Sequence, residues 1–131
     1  MAVRGQSAHV ELPAARTSAR DARRFLTRTM ADWHIPAEPA DTARLLATEL
    51  VTNAVLYAVA PIELVVERWD NTLRVEVCDH TSRMPVTRSP RDPMALTGRG
   101  LSLVKDLSDT WGVTPRRDGK SIWFELSTVD A

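Results

Sequence analysis

The sequence is poor in cysteine, lysine and glycine. It has one cysteine, Cys78, and two lysines, Lys105 and Lys120, and no glycine between Gln6 and Thr97. A single cysteine excludes an intramolecular disulfide and fits a reducing compartment. Cys78 falls in an alternating, strand-like run, where a packed small hydrophobe is the expected role rather than a nucleophile. No run approaches about 18 apolar residues and the N-terminus has no apolar core segment, so no membrane span or signal peptide is expected. The formal net charge is +0. No global basic field therefore exists to attract nucleic acid or an anionic membrane surface. His9, His34 and His80 lack metal-ligand spacing with Cys78, and no serine sits in a nucleophile elbow.

What is present is an ordinary globular composition, 44% hydrophobic and 26% charged over 131 residues. That length predicts a single domain, 1–131, with a real hydrophobic core. Residues 1–8 read as a flexible tail. His9–Leu12 reads as an edge strand closed by Pro13. Ser18 with Asp21 has the spacing of a capping box before a helix from about Ala19 to Trp33. Ala22, Phe25, Leu26, Met30 and Trp33 recur there at helical spacing, and Arg20, Arg23, Arg24 and Arg28 take the other faces as a solvated surface. Two prolines mark a break at Ile35–Pro39. A second helix, about Asp41 to Ala58, carries Ala43, Leu46, Ala47, Leu50, Val51, Ala54 and Ala58 on one broad apolar face.

Strands follow at Ile62–Trp69 and Leu73–Asp79, joined by a tight turn at Asp70–Asn71. His80 to Thr97 is a long irregular stretch with three prolines, and such stretches are functional or disordered. A short helix then covers Leu101–Leu107. Strands at Trp111–Thr114 and Ser121–Ser127 are joined by a hairpin signalled by Asp118-Gly119. Hairpin-paired strands with helices in a separate group predict an α+β two-layer sandwich, with helices packed on one face of a mixed, mostly antiparallel sheet.

Three places carry polar residues with chemical potential. Glu49 and Asn53 lie one turn apart on one flank of the second helix, a carboxylate and an amide beside a buried stripe. Asp79 ends a strand. Gly98-Arg99-Gly100 precedes a helix, where free backbone N–H groups and the helix dipole make an anion site. Each also has a bland reading: a surface ion pair, a turn, a shaped loop. The glycine pair is not a dinucleotide fingerprint, because Leu103 stands where the last glycine belongs. Gly119-Lys120-Ser121 is not a P-loop, because Thr114 stands at the upstream glycine position.

Taken together, the order and spacing resemble the GHKL family of ATP-binding domains, the gyrase, Hsp90, histidine-kinase and MutL type. The resemblance is closest to the anti-sigma factor serine/threonine kinases in their short actinobacterial form. It rests on Glu49-Leu-Val-Thr-Asn53-Ala54, on Val75–Asp79 running to Pro85, on Gly98-Arg-Gly100-Leu-Ser-Leu-Val104, and on Gly119–Leu126. It spans about Leu12 to Leu126 and implies a Bergerat-type ATP-binding fold. By this resemblance Asn53 holds Mg²⁺ against the phosphates of ATP, and Glu49 is the general base. Asp79 accepts from the adenine amino group, and Gly98, Arg99 and Gly100 present N–H groups to phosphate. Ser121 supports Asp79 and the adenine edge, and residues 80–97 form an ATP lid. The chain departs from the family where His80–Met84 contains no glycine.

The resemblance thus implies a cytoplasmic kinase using ATP and Mg²⁺. It would act on an anti-anti-sigma (STAS) protein in partner switching and sequester a sigma factor, as a homodimer. The alternative is a non-catalytic module that binds a sigma factor or STAS protein with weak or no nucleotide binding, which the missing glycines favour. A histidine-kinase catalytic half is the third reading, and no sensor or phospho-acceptor helix pair supports it.

Overall fold

The computed structural model describes residues 5–57, 61–80, 98–116 and 119–129. Its elements are β1 (Gln6–Leu12), α1 (Ser18–Asp32), α2 (Ala37–Tyr57), β2 (Ile62–Trp69), β3 (Thr72–Asp79), α3 (Gly98–Leu107), β4 (Thr110–Arg116) and β5 (Gly119–Ser127). The strands form one sheet in the order β1-β2-β3-β5-β4. Every neighbouring pair is antiparallel, so the sheet is not mixed. The helices pack on one face of it, which is the α+β two-layer arrangement expected.

The core lies between the layers. Leu64, Val66, Leu73, Val75, Val77, Phe124 and Leu126 point inward from the strands, under Leu26 of α1, Ala43, Leu46, Ala47, Leu50 and Val51 of α2, and Val104 of α3. The other face is half-buried over its middle and buried at Cys78 and Ser121. There the Arg74 guanidinium lies 4.2 Å from the Trp123 ring centroid and pairs with Glu125 at 3.2 Å.

Several boundaries differ from the sequence expectation. β1 starts at Gln6, so the tail is shorter than residues 1–8: pairing with Arg68 through Ile62 orders this segment. Ser18 and Asp21 form no capping box. Thr17 is the cap residue and makes no side-chain cap, and the Ser18 hydroxyl instead donates to the Pro13 carbonyl. α2 starts at Ala37 rather than Asp41, and takes Pro39 into its first turn, where a missing N–H leaves no helical bond unmade. β4 extends to Arg116 and includes Pro115, which an edge strand tolerates.

The break after α1 is built without glycine. His34 takes the left-handed conformation, φ 55°. Its N–H donates to Ala31 O at 3.2 Å and that of Ile35 to Met30 O at 3.0 Å. This is the Schellman arrangement, with buried Met30 and Ile35 as its apolar accompaniment. Arg68 donates to the Trp33 carbonyl at 3.2 Å, placing a cation at the helix C-terminus. Asp70 takes the second left-handed position, φ 52°, in the β2–β3 turn expected there.

Candidate functional site

Asp79 is the last residue of β3 and is buried. Its register partner on β5 is Lys120, and the Lys120 ammonium lies 2.6 Å from the carboxylate. Both side chains are largely withdrawn from water, 6% and 13% exposed. The approach depends on Gly119. A Cβ there would overlap the Asp79 carbonyl and stand 3.0 Å from its carboxylate. Gly119 has no positive φ, so it is needed for closeness and not for a turn. The loop it was expected to shape is residues 117–118, outside the described residues.

Ser121 is not brought to Asp79. In an antiparallel pair, directly opposed residues share a face. Asp79 and Lys120 share the helix-covered face with Val77 and Ile122, while Ser121 opposes Cys78 on the other face. The Ser121 hydroxyl is buried with no hydrogen-bond partner among the described residues. Lys120 is the residue that sequence reading missed. Strand parity could have found it, since Phe124, Ile122 and Lys120 alternate along one face.

Cys78 is buried beside Asp79 in sequence. Burial, reinforced by the Glu76 carboxylate, pushes its thiol up to about 11. It is therefore a neutral thiol at physiological pH and no nucleophile.

Glu49 and Asn53 are half-buried on α2. Thr52, Val55 and Leu56 of the same helix line a shallow apolar groove with Ala15, Arg16 and Ala19 around the start of α1. α2 contacts both α1 and α3. Topology sets the end of the sheet it approaches. Tyr57 and Ile62 are five residues apart, a reach of at most about 18 Å. The C-terminal end of α2 therefore lies by the start of β2, and β2 starts where β3 ends, Glu63 opposite Cys78. Asn53, one turn from that helix end, is on the Asp79 side of the molecule.

α3 begins at Gly98, so Gly98, Arg99 and Gly100 form its first turn rather than a preceding loop. The N–H groups of a first turn have no partner within the helix. A two-residue link then reverses the chain into β4, whose Thr110 opposes Glu125, five residues along β5 from Lys120. β4 runs from there towards the Asp79 end, so α3 runs away from it and its first turn points back to it. His80 lies at the same corner: its Nδ1 is 2.8 Å from the Pro61 carbonyl, and because a carbonyl only accepts, Nδ1 carries the proton and donates. The expected lid beyond it, residues 81–97, lies outside the described residues. Among the described residues no cluster of three His, Cys, Asp or Glu could hold a metal by itself.

Comparison with known proteins bears on this arrangement. The family described as "Histidine kinase-like ATPase domain" matches residues 12–126. Among solved structures, that of the RsbU and RsbW domains of Rv1364c from Mycobacterium tuberculosis superposes with a TM-score of 0.73 at 18% identity. The superposition covers 93% of this chain and 32% of that one, so this chain spans about a third of that protein's length. At such identity the likeness is one of fold. A search of curated proteins finds no match.

Proposed function

The chain belongs to the histidine kinase-like ATPase family, and from that premise we propose that it is an anti-sigma regulatory factor that binds ATP with Mg²⁺ and phosphorylates a serine or threonine of an anti-anti-sigma (STAS) partner. The nucleotide reading is supported by the family match over residues 12–126 and by buried Asp79 at the end of β3, the sheet end to which chain connectivity leads the C-terminal part of α2 and the first turn of α3. Asp79 is an acceptor for a base, Asn53 in that part of α2 a neutral oxygen donor, and the first turn of α3 a set of free N–H groups for phosphate.

The residues fit Mg²⁺ of the kind that keeps several waters and shares substrate phosphates. Such an ion needs one or two protein oxygens, not a cage, and the Asn53 amide oxygen is a suitable hard ligand. Bound there, Mg²⁺ would neutralise charge on the transferring phosphoryl group. Glu49, one turn before Asn53, is the carboxylate that would take the proton of the attacking hydroxyl. A pure binding module has no need of that base, so the pair favours phosphotransfer over simple docking. When not phosphorylating, the domain holds a sigma factor, the partner class of the anti-sigma kinases that its four motifs resemble.

Titration calorimetry of the protein with ATP and Mg²⁺ tests the reading. Saturable binding of one nucleotide per chain is expected, lost when Mg²⁺ is chelated. Absence of any heat of binding would sink it and leave a nucleotide-independent binding module. Incubation with STAS proteins and labelled ATP then separates kinase from nucleotide-dependent clamp.

A further inference from the structure

We propose that β1 is a docking edge for an extended segment of another protein, a strand that alternates basic and apolar residues and adds to the sheet beside β1. β1 is the first strand of the sheet, so its outer edge meets no strand among the described residues. Its pairing with β2 runs one to one from Gln6 to Leu12, without a bulge. That segment contains no proline, glycine or lysine, the residues that blunt an edge. The opposite edge, β4, is blunted: it carries Pro115, and at Gly112 the Trp123 ring lies where a side chain would stand.

The charge beside this edge specifies the partner. On the face away from the helices, Glu11 of β1 stands directly opposite Glu63 of β2, and Glu67 follows along β2. Like charges directly opposed are destabilising. None of these three carboxylates forms an ion pair with a described residue, whereas on the other half of that face Glu125 pairs with Arg74 and Glu76 with Arg116. Arg74, in register with Glu67, is turned to Glu125 and the Trp123 ring instead. On the helix side of β1, Ala8 and Val10 are only half-buried. An added strand with arginine or lysine on one face and apolar residues on the other meets both needs, cations beside Glu11 and apolar side chains beside Val10. Strands are spaced about 4.8 Å apart, so Glu63 lies about 10 Å from the added strand, within the combined reach of an arginine and a glutamate side chain. In such strand addition main-chain bonds supply affinity and alternate side chains supply specificity. A second copy of this chain does not fit, because its own β1 would bring another Glu11 to an acidic strip.

The test titrates the full protein with a short fluorescent peptide of alternating arginine and valine, followed by anisotropy. A peptide of alternating arginine and proline keeps the charge but cannot extend the sheet. One of alternating glutamate and valine keeps the strand pattern but reverses the charge. The arginine–valine peptide is expected to bind roughly tenfold or more tightly than either. Glu11→Gln combined with Glu63→Gln is expected to weaken it by roughly fivefold or more, the scale of two exposed ion pairs. Both substitutions relieve a like-charge contact, so the fold is kept. At a tenfold excess over Kd the peptide is expected to slow hydrogen exchange of the outward-facing β1 amides by roughly tenfold and to leave the free amides of the β4 edge unchanged. No binding of the arginine–valine peptide, equal binding of the arginine–proline peptide, or unchanged affinity in the double variant overturns the proposal. So does protection of the β1 edge by self-association in the peptide-free protein. Nucleotide takes no part in these measurements, so each outcome leaves the nucleotide reading where it stands.

Discussion

Glu49 and Asn53 sit one turn apart on the same flank of α2, yet the proposed function gives them different steps. In the proposed function the Asn53 amide supplies the neutral oxygen for Mg²⁺, so Asn53→Ala is expected to lower Mg²⁺–ATP affinity below detection by calorimetry. Glu49→Ala is expected to leave that affinity within a few-fold of wild type and to remove phosphotransfer to a STAS partner, a loss of about 10²–10⁴-fold for a general base. Equal loss of binding in both variants would contradict the division. Gly119 makes a further residue-scale case. A methyl group there overlaps the Asp79 carbonyl, a backbone atom with nowhere to yield. Gly119→Ala is expected to cost about 1–3 kcal/mol in chemical denaturation, in line with overpacking, and to weaken ATP binding by displacing Asp79. At this scale the site was partly legible. Asp79, Glu49 and Asn53 stand out because polar residues interrupt apolar periodicity. Lys120 did not, because a lysine beside a hairpin glycine looks like a turn residue until the register sets it opposite Asp79.

Among the elements, α1 shows how a glycine-poor sequence ends a helix. His34 occupies the left-handed position that glycine normally takes, at a cost of about 1–2 kcal/mol for an L-residue. Replacing it should recover part of this, less the extra chain entropy of glycine when unfolded. His34→Gly is expected to raise stability by about 0.5–1 kcal/mol in urea denaturation; an unchanged or lower midpoint would show that the imidazole makes a compensating contact. The spacing of Ala22, Leu26 and Met30 made α1 readable, since burial follows helical period. Helix starts were less so. Pro39 looks like a breaker, but the first turn of a helix has no use for its missing N–H, and α2 simply absorbs it. The capping box of Ser18 and Asp21 failed for a similar reason: a Pro13 carbonyl within reach gave the hydroxyl another partner.

For the molecule as a whole, Cys78 is a probe of opening: it lies on the sheet face away from the helices and is nonetheless buried. Its thiol is 3% exposed and its ionisation is pushed up to about 11. A group whose pKa is raised on folding makes folding less favourable as pH climbs above its unfolded value of 9.0, so this contribution to instability grows between pH 9 and 11. At neutral pH the same thiol reports opening of the sheet. Alkylation of Cys78 by iodoacetamide is expected to follow global unfolding, and ATP with Mg²⁺ is expected to slow it. At a hundredfold excess over Kd the native state gains about 2.7 kcal/mol, roughly a hundredfold slower labelling when reclosing is fast relative to alkylation. Labelling that is fast in the native protein would place Cys78 in a locally open segment instead.

The sequence by itself determined the alternation that makes five strands, the helical spacing of α1 and α2, and the four polar and glycine motifs that resemble ATP-binding domains. These are local properties, set by residue period and residue chemistry within a few positions. The tertiary structure decided which of those residues meet. β3 and β5 are adjacent in the sheet although α3 and β4 come between them in the chain. Their register depends on burying Val75 with Phe124 and Val77 with Ile122 under the helices. That packing carries Lys120 to Asp79 and turns Ser121 to the opposite face. No count along the chain fixes such a pairing, because a slip of one residue exchanges the two faces, and only burial of the apolar set in three dimensions selects between them.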